Sequence, residues 1–435
     1  MKIVIVILFV IQFLLLVRVA LNEFKRNELS FRFGISFGIL YFVFIPLSLM
    51  IFTGTLIVSK KDFGGTLIPD VVFENELWTS LQLILFIGGI ILFLNGPKLR
   101  ELKITKRLGS NGWKLPLFIY VILMLSIFIG SGMLNGGNWY NNRHHFMAQG
   151  GSLAVLMMFF LNASKVMFIS SLIYKWKVKE IKLIYFLPLI FLFLLVDMIL
   201  TGNRIYAFIA VVIIGLNFLK EYPKIILKYS IIGLPAVYYA GYFASIFRHM
   251  RGPLFLYGIP TPSYFIEVLN GAIKVEPPDV YNFLSGISES VNVNVIYGLL
   301  NQYSTPLYGT TYLKTILFPI PRKVWVGKPI TITNIAGDIF GSESLVTTFI
   351  GEVFMNFLFW GVLILPVFLF FTEWVFRSYF NRVLNGKVLL FFVGLMIFRM
   401  PYSDTVLIFT FIFFLSYLGS LSINKIISTI NEKLG

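Results

Sequence analysis

Apolar residues in this chain neither alternate nor recur on one helical face. They continue in long runs that short polar gaps interrupt, near 3–21, 34–58, 79–95, 115–134, 152–174, 183–200, 205–219, 229–246, 348–371, 388–398 and 405–421. About 20 apolar residues in a helix cross the roughly 30 Å hydrocarbon layer of a bilayer. The pattern therefore predicts an all-α polytopic membrane protein with about 11 transmembrane helices, 10 to 12 allowing for boundaries. The run at 388–398 is short and ends on Arg399, which leaves open a tilted, arginine-extended or partial crossing. The first run has no small-residue cleavage site and more runs follow it, so it reads as a retained helix.

One stretch breaks the pattern. Residues 247–347 mix charges, prolines and short apolar pieces such as FLYGIP, VIYGLL and TILFPIP, each far too short to span. This predicts three parts: helices 1–8 over residues 1–246, a large loop with short interfacial helices over 247–347, and helices 9–11 with a tail over 348–435.

Charge gives the loop a side. The gaps holding Lys25, Arg26 and Arg32, then Lys98 to Lys114, Lys175 to Lys182, Lys220 to Lys228, Arg377 to Lys387 and the tail, together with Arg18, carry 22 of the 36 basic residues and seven acids. The opposite gaps carry thirteen of each sign, and Lys165 lies within a run. Basic residues are retained on the cytoplasmic side, so the large loop is predicted extracytoplasmic and the C-terminus cytoplasmic. The net charge of +16 is spread over short loops with no basic helix or aromatic-basic motif. It reads as topology setting and contact with anionic membrane lipid, not nucleic-acid binding.

The chain is 57% hydrophobic, 17% aromatic and 13% charged, beyond what a soluble core uses. Without cysteine, and with three histidines, it offers no thiolate or histidine-rich metal site. Phosphate-loop and dinucleotide glycine patterns, an outer Asp-x-Asp pair and a Ser-His-Asp arrangement are all missing. No metal or cofactor is expected.

The candidate chemistry gathers at the predicted outer ends of spans. Asn203 caps a helix that Arg204 opens, which would point amides and a guanidinium at an anion such as a diphosphate; the alternatives are snorkelling or an ion pair with Asp197. Arg248 and Arg251 share a helical face and suit a phosphate clamp, or end a span in solvent. In PIPRKVWVGKP, prolines stiffen a loop that carries Arg322, Lys328 and Trp325, suited to a sugar on the indole with its phosphate on the bases, or to an interfacial anchor. Glu352 and Asn356 lie at i, i+4 in the ninth run, where a shielded carboxylate could act as a base or neutralise an arginine. Arg399 and Asp404 bracket the last outer turn, and Arg143 sits in an outer loop with Trp139, Tyr140 and Asn142.

The PIPRKVWVGKP stretch, the TGNR turn at Arg204 and the GEVFMNFLFWG segment after the large loop resemble the O-antigen polymerase family of oligosaccharide repeat-unit polymerases. The resemblance implies a GT-C-like glycosyltransferase on the outer face of the bacterial cytoplasmic membrane. Its donor and acceptor would be undecaprenyl-diphosphate-linked oligosaccharides, joined with inversion and without metal. A chain-length regulator protein is an implied partner. Arg204, Arg248, Arg251 and Arg322 would then hold the diphosphate, with Lys328, Trp325, Arg143 and Arg399 lining the substrate path. The related O-antigen ligases carry a histidine before this segment where this chain has Thr347, which leaves Glu352 and Glu343 as the candidate bases. Two alternatives stay open: a ligase-type glycan transferase, and a flippase or exporter of the same lipids, for which Lys165 would be the residue of interest.

Overall fold

A computed structural model of the chain describes residues 2–417 apart from 27–28, 54–75, 100–112, 138, 202–204, 225–237, 319, 321–323, 342–344, 384 and scattered positions between 240 and 290. The architecture is all-helical, 81% helix with no strands among the described residues. Six of the described helices are long and apolar enough to cross a membrane: Ile3–Lys25, Phe31–Leu49, Leu77–Asn95, Leu153–Lys177, Leu183–Thr201 and Thr348–Phe380. Lys114–Gly130, Gly386–Met396 and Tyr402–Tyr417 are shorter apolar helices. The predicted run at 229–246 falls mostly outside the described residues.

In order, the helices are α1 (Lys2–Lys25), α2 (Phe31–Ile39), which passes through a π turn at Leu40–Phe44 into α3 (Ile45–Thr53), α4 (Glu76–Asn95), α5 (Lys114–Gly130), α6 (Trp139–Lys177), α7 (Leu183–Thr201), α8 (Ile205–Glu221), α9 (Pro262–Ile273), α10 (Val291–Gln302), α11 (Thr310–Ile316), α12 (Ile332–Ile339), α13 (Thr348–Phe357), α14 (Gly361–Phe380) and α15 (Gly386–Met396), with α16 over Tyr402–Tyr417. The predicted loop at residues 139–145 is helical, as the first turns of α6. Gly151 (φ 53, ψ −135) breaks that helix, at a positive φ that glycine adopts without steric cost.

The chain forms two compact units: residues 1–108 with 284–410, and residues 109–283 with 411–435. The stretch 247–347 is thus divided between them. In the first unit α2 and α15 pack most closely, and glycines are the reason. A Cβ on Gly34 would lie 2.3 Å from the Phe391 carbonyl oxygen, and one on Gly394 would lie 2.3 Å from that of Phe31. Small residues that let backbones approach are how apolar helices associate where water supplies no driving force. α10 is buried from Asn292 through Leu300.

The same unit holds a buried ion pair. Arg32, 2% exposed, donates from Nε to Glu373 Oε2 at 3.0 Å, from Nη1 to the carbonyls of Leu94 (3.2 Å) and Gly96 (2.8 Å), and from Nη2 to that of Pro97 (2.7 Å). Its guanidinium carbon lies 4.8 Å from the centre of the Phe93 ring. One side chain therefore ties α2 to the end of α4 and to α14.

In the second unit, Lys165 on α6 pairs with Asp197 on α7 at 2.7 Å. Tyr120 on α5 donates to the same carboxylate oxygen at 2.9 Å. Lys165 also donates to Thr201 Oγ1 at 3.3 Å and lies 5.2 Å from the centre of the Tyr206 ring on α8. Aromatic contacts extend the packing, including Trp176 stacked on Phe186 with centroids 4.9 Å apart.

Removing one partner of a buried pair strands the other charge, at roughly 3–5 kcal/mol. Arg32→Met is expected to lower the thermal unfolding temperature of the detergent-purified protein sharply. Arg32→Met with Glu373→Leu should recover most of the loss, and an equal drop in both variants would refute that account.

Candidate functional site

The site is built around α13, a ten-residue helix whose two ends are irregular. Thr348 has φ 53 and Leu358 has φ 49, ψ −136. Positive φ is a genuine outlier for β-branched or bulky residues. After Leu358 the chain makes a turn of 3-10 helix at Leu358–Trp360 and resumes as α14. Such outliers persist only where surrounding structure holds them, and here it does. Phe349 N–H donates to the Ile397 carbonyl at 2.9 Å, while the carbonyls of Met355 and Asn356 accept from Leu307 and Tyr308 N–H at 2.9 and 3.0 Å. Backbone groups that a continuous helix would pair internally are thus met by neighbouring segments.

Every residue from Thr348 to Asn356 is buried. Glu352 is 0% exposed. Its Oε2 accepts the backbone N–H of Ser403, at the start of α16, at 3.0 Å. Its Oε1 has no hydrogen-bond partner among the described residues. Asn356, one turn on, donates to Thr311 Oγ1 and to the Glu352 carbonyl, both at 2.8 Å. Aromatic rings close over the region: Tyr312 stacks on Phe357 with centroids 6.1 Å apart, and Tyr402 lies 5.7 Å from Tyr312 and 5.2 Å from Phe349. Burial first, then nearby Glu352 and Tyr402, hold the Tyr312 phenol well above the ordinary tyrosine range, so it stays protonated. Thr347 is fully buried and its hydroxyl lacks a partner among the described residues.

Arg399 follows α15 and forms an ion pair with Glu289, the two side chains 22% and 23% exposed. Of the PIPRKVWVGKP loop, Ile320 and the residues from Val324 onward are described. Lys328 is buried, and its ammonium donates to the carbonyls of Phe318 and Ile320, both at 2.8 Å, with the Phe318 ring centre 5.3 Å away. Trp325 is half-exposed, and its carbonyl accepts from Lys328 N–H at 3.0 Å. Lys328 therefore clamps its own loop. Arg322, Glu343, Arg204, Arg248 and Arg251 lie outside the described residues, and Arg143 is described only as part of the α6 backbone. Asp197, considered above as a partner for Arg204, is engaged by Lys165 and Tyr120.

Sequence reading reached Glu352, Asn356 and Arg399. It missed Thr311, Tyr312, Ser403 and Tyr402, which contact them from distant segments, and Asn294, buried on α10 with neither amide atom partnered among the described residues. Only the placement of Ser403 beside the predicted outer turn could have hinted at its role. No protein-family model, curated protein or solved structure matches the chain.

If Lys328 holds the loop, Lys328→Met should speed tryptic cleavage after Arg322 and Lys323 severalfold while global unfolding moves little. Unchanged cleavage would assign its ammonium another task.

Proposed function

We propose that the chain is a membrane glycosyltransferase that polymerises undecaprenyl-diphosphate-linked oligosaccharide repeat units into a surface polysaccharide on the outer face of the cytoplasmic membrane. The observation that carries this reading is the Glu352 carboxylate, buried, held at one oxygen by Ser403 N–H and without a hydrogen-bond partner at the other among the described residues, on a strained half-helix within the segment that resembles the polymerases. A base must be positioned before its basicity matters, and the bond from Ser403 N–H that fixes one Glu352 oxygen supports the reading.

In this reading the acceptor sugar hydroxyl gives its proton to Glu352 Oε1 as its oxygen attacks the donor's anomeric carbon. The bond from that carbon to the diphosphate oxygen breaks, and the lipid diphosphate leaves with the electron pair. Arg204, Arg248, Arg251 and Arg322 hold the leaving group and stabilise its growing charge. Inversion follows from a single displacement.

A second reading, a flippase for the same lipids, is favoured by one observation: the Lys165–Asp197 pair with Tyr120, buried inside apolar helices. Ionisable residues at such depth commonly mark transport paths.

The deciding experiment is incubation of purified protein in detergent with lipid-diphosphate-linked repeat units and a chelator, followed by a gel. A polymer ladder is expected. Glu352→Gln should keep lipid-donor binding and lose roughly 10²–10⁴-fold in turnover. Arg204→Ala, Arg251→Ala and Arg322→Ala should each insert normally and lose polymerisation; normal product length in all three would remove the mechanism. No ladder, with the same lipids crossing vesicle bilayers in a Lys165-dependent way, would decide for the flippase.

A further inference from the structure

Glu352 lies near the start of the segment Thr348–Phe380 and Glu373 near its end. Around the latter end the first unit has an open cavity of about 480 Å³ that the proposed chemistry does not use. Its lining includes Arg26, Arg32, Lys98, Arg377 and Lys387, with Glu23 and Glu373 as its carboxylates. Five basic side chains against two acidic ones leave a surplus of three positive charges among the described lining residues. Three segments, separate along the chain, supply them: Arg26 and Arg32 where α1 gives way to α2, Lys98 after α4, and Arg377 and Lys387 from the end of α14 to the start of α15.

Both carboxylates are already engaged. Glu373 accepts from Arg32 and lies 3.8 Å from Arg377. Glu23 pairs with Lys98 and accepts the Ser30 hydroxyl at 2.8 Å. The Arg32 guanidinium is fixed by three carbonyls and an aromatic ring, so this wall is rigid. Arg26 and Lys387 are exposed at the rim. Basic residues drawn together in this way repel one another unless an anion joins them. Guanidinium forks and ammonium groups together match the several oxygens of a phosphate better than the two of a carboxylate, and the volume is that of a ligand pocket.

We propose that this cavity is a binding site for a phosphate-bearing anion. Two sources present that chemistry: the headgroup of an anionic phospholipid, which juxtamembrane basic residues meet at the bilayer surface, or a soluble phosphate compound. The site is independent of the transferase reading.

The test uses the full-length purified protein, Arg26→Ala with Lys387→Ala, and a charge-matched control, Lys179→Ala with Lys182→Ala, two exposed residues of the second unit. Native mass spectrometry compares retention of phosphatidylglycerol with phosphatidylcholine, and thermal shift follows inorganic pyrophosphate. For a lipid source, the parent and the control prefer phosphatidylglycerol, and the cavity variant retains it about thirtyfold more weakly. For a soluble source, pyrophosphate raises the unfolding temperature of the parent and the control but not of the cavity variant. No response to either ligand, or equal loss in the cavity variant and the control, overturns the proposal.

Discussion

Backbone amides and carbonyls inside an apolar environment must find partners within the protein, because no water is there to take them. α13 is where that constraint is met at greatest strain. Ten residues at about 1.5 Å each reach only half of a typical hydrocarbon layer, and the helix ends are then supplied by Ile397 on one side and by Leu307 and Tyr308 on the other. The segment around residue 307 is therefore a structural part of the helix it caps. That coupling explains why α13 with Glu352 and α11 with Thr311 and Tyr312 meet.

Each unit also sets a lysine or arginine against one carboxylate in its interior: Arg32 with Glu373, and Lys165 with Asp197. The two differ in their surroundings. Arg32 spends its remaining donors on main-chain carbonyls, which suits a fixed joint. Lys165 is ringed by hydroxyl and phenol groups from three helices, an arrangement with proton-bearing side chains on every side. Desolvated charges need such company, since isolation in low dielectric is costly.

The apolar runs made the helical class and most helix positions legible, because hydropathy over a bilayer-length window is a strong local signal. The break at Leu358 was not legible: FMNFLFWG contains no proline, and leucine at positive φ is chosen by tertiary contacts that no local pattern carries. The same holds for α10, whose mixed sequence hid its burial. Glu352 stood out as a carboxylate in an apolar run, whereas the groups that meet it and its neighbour Asn356 come from residues 403 and 311, linked to them only by the fold. Lys328 shows the converse, since its setting in a basic, aromatic stretch suggested a ligand while its ammonium serves its own loop.

Arg32 and Glu373 stand 341 residues apart in the chain. At roughly 5–20 residues per second of synthesis, the arginine waits on the order of 17–68 s for its counter-charge. Through that interval α2 has neither its ion pair nor the glycine seam with α15, and a long side chain near a helix end is then most comfortable with its charge in the headgroup layer. Final seating of the first hairpin is thus an event of late biogenesis. The early helices must persist in the bilayer as inserted but unassembled elements until Glu373 and the residues of α15 have been synthesised.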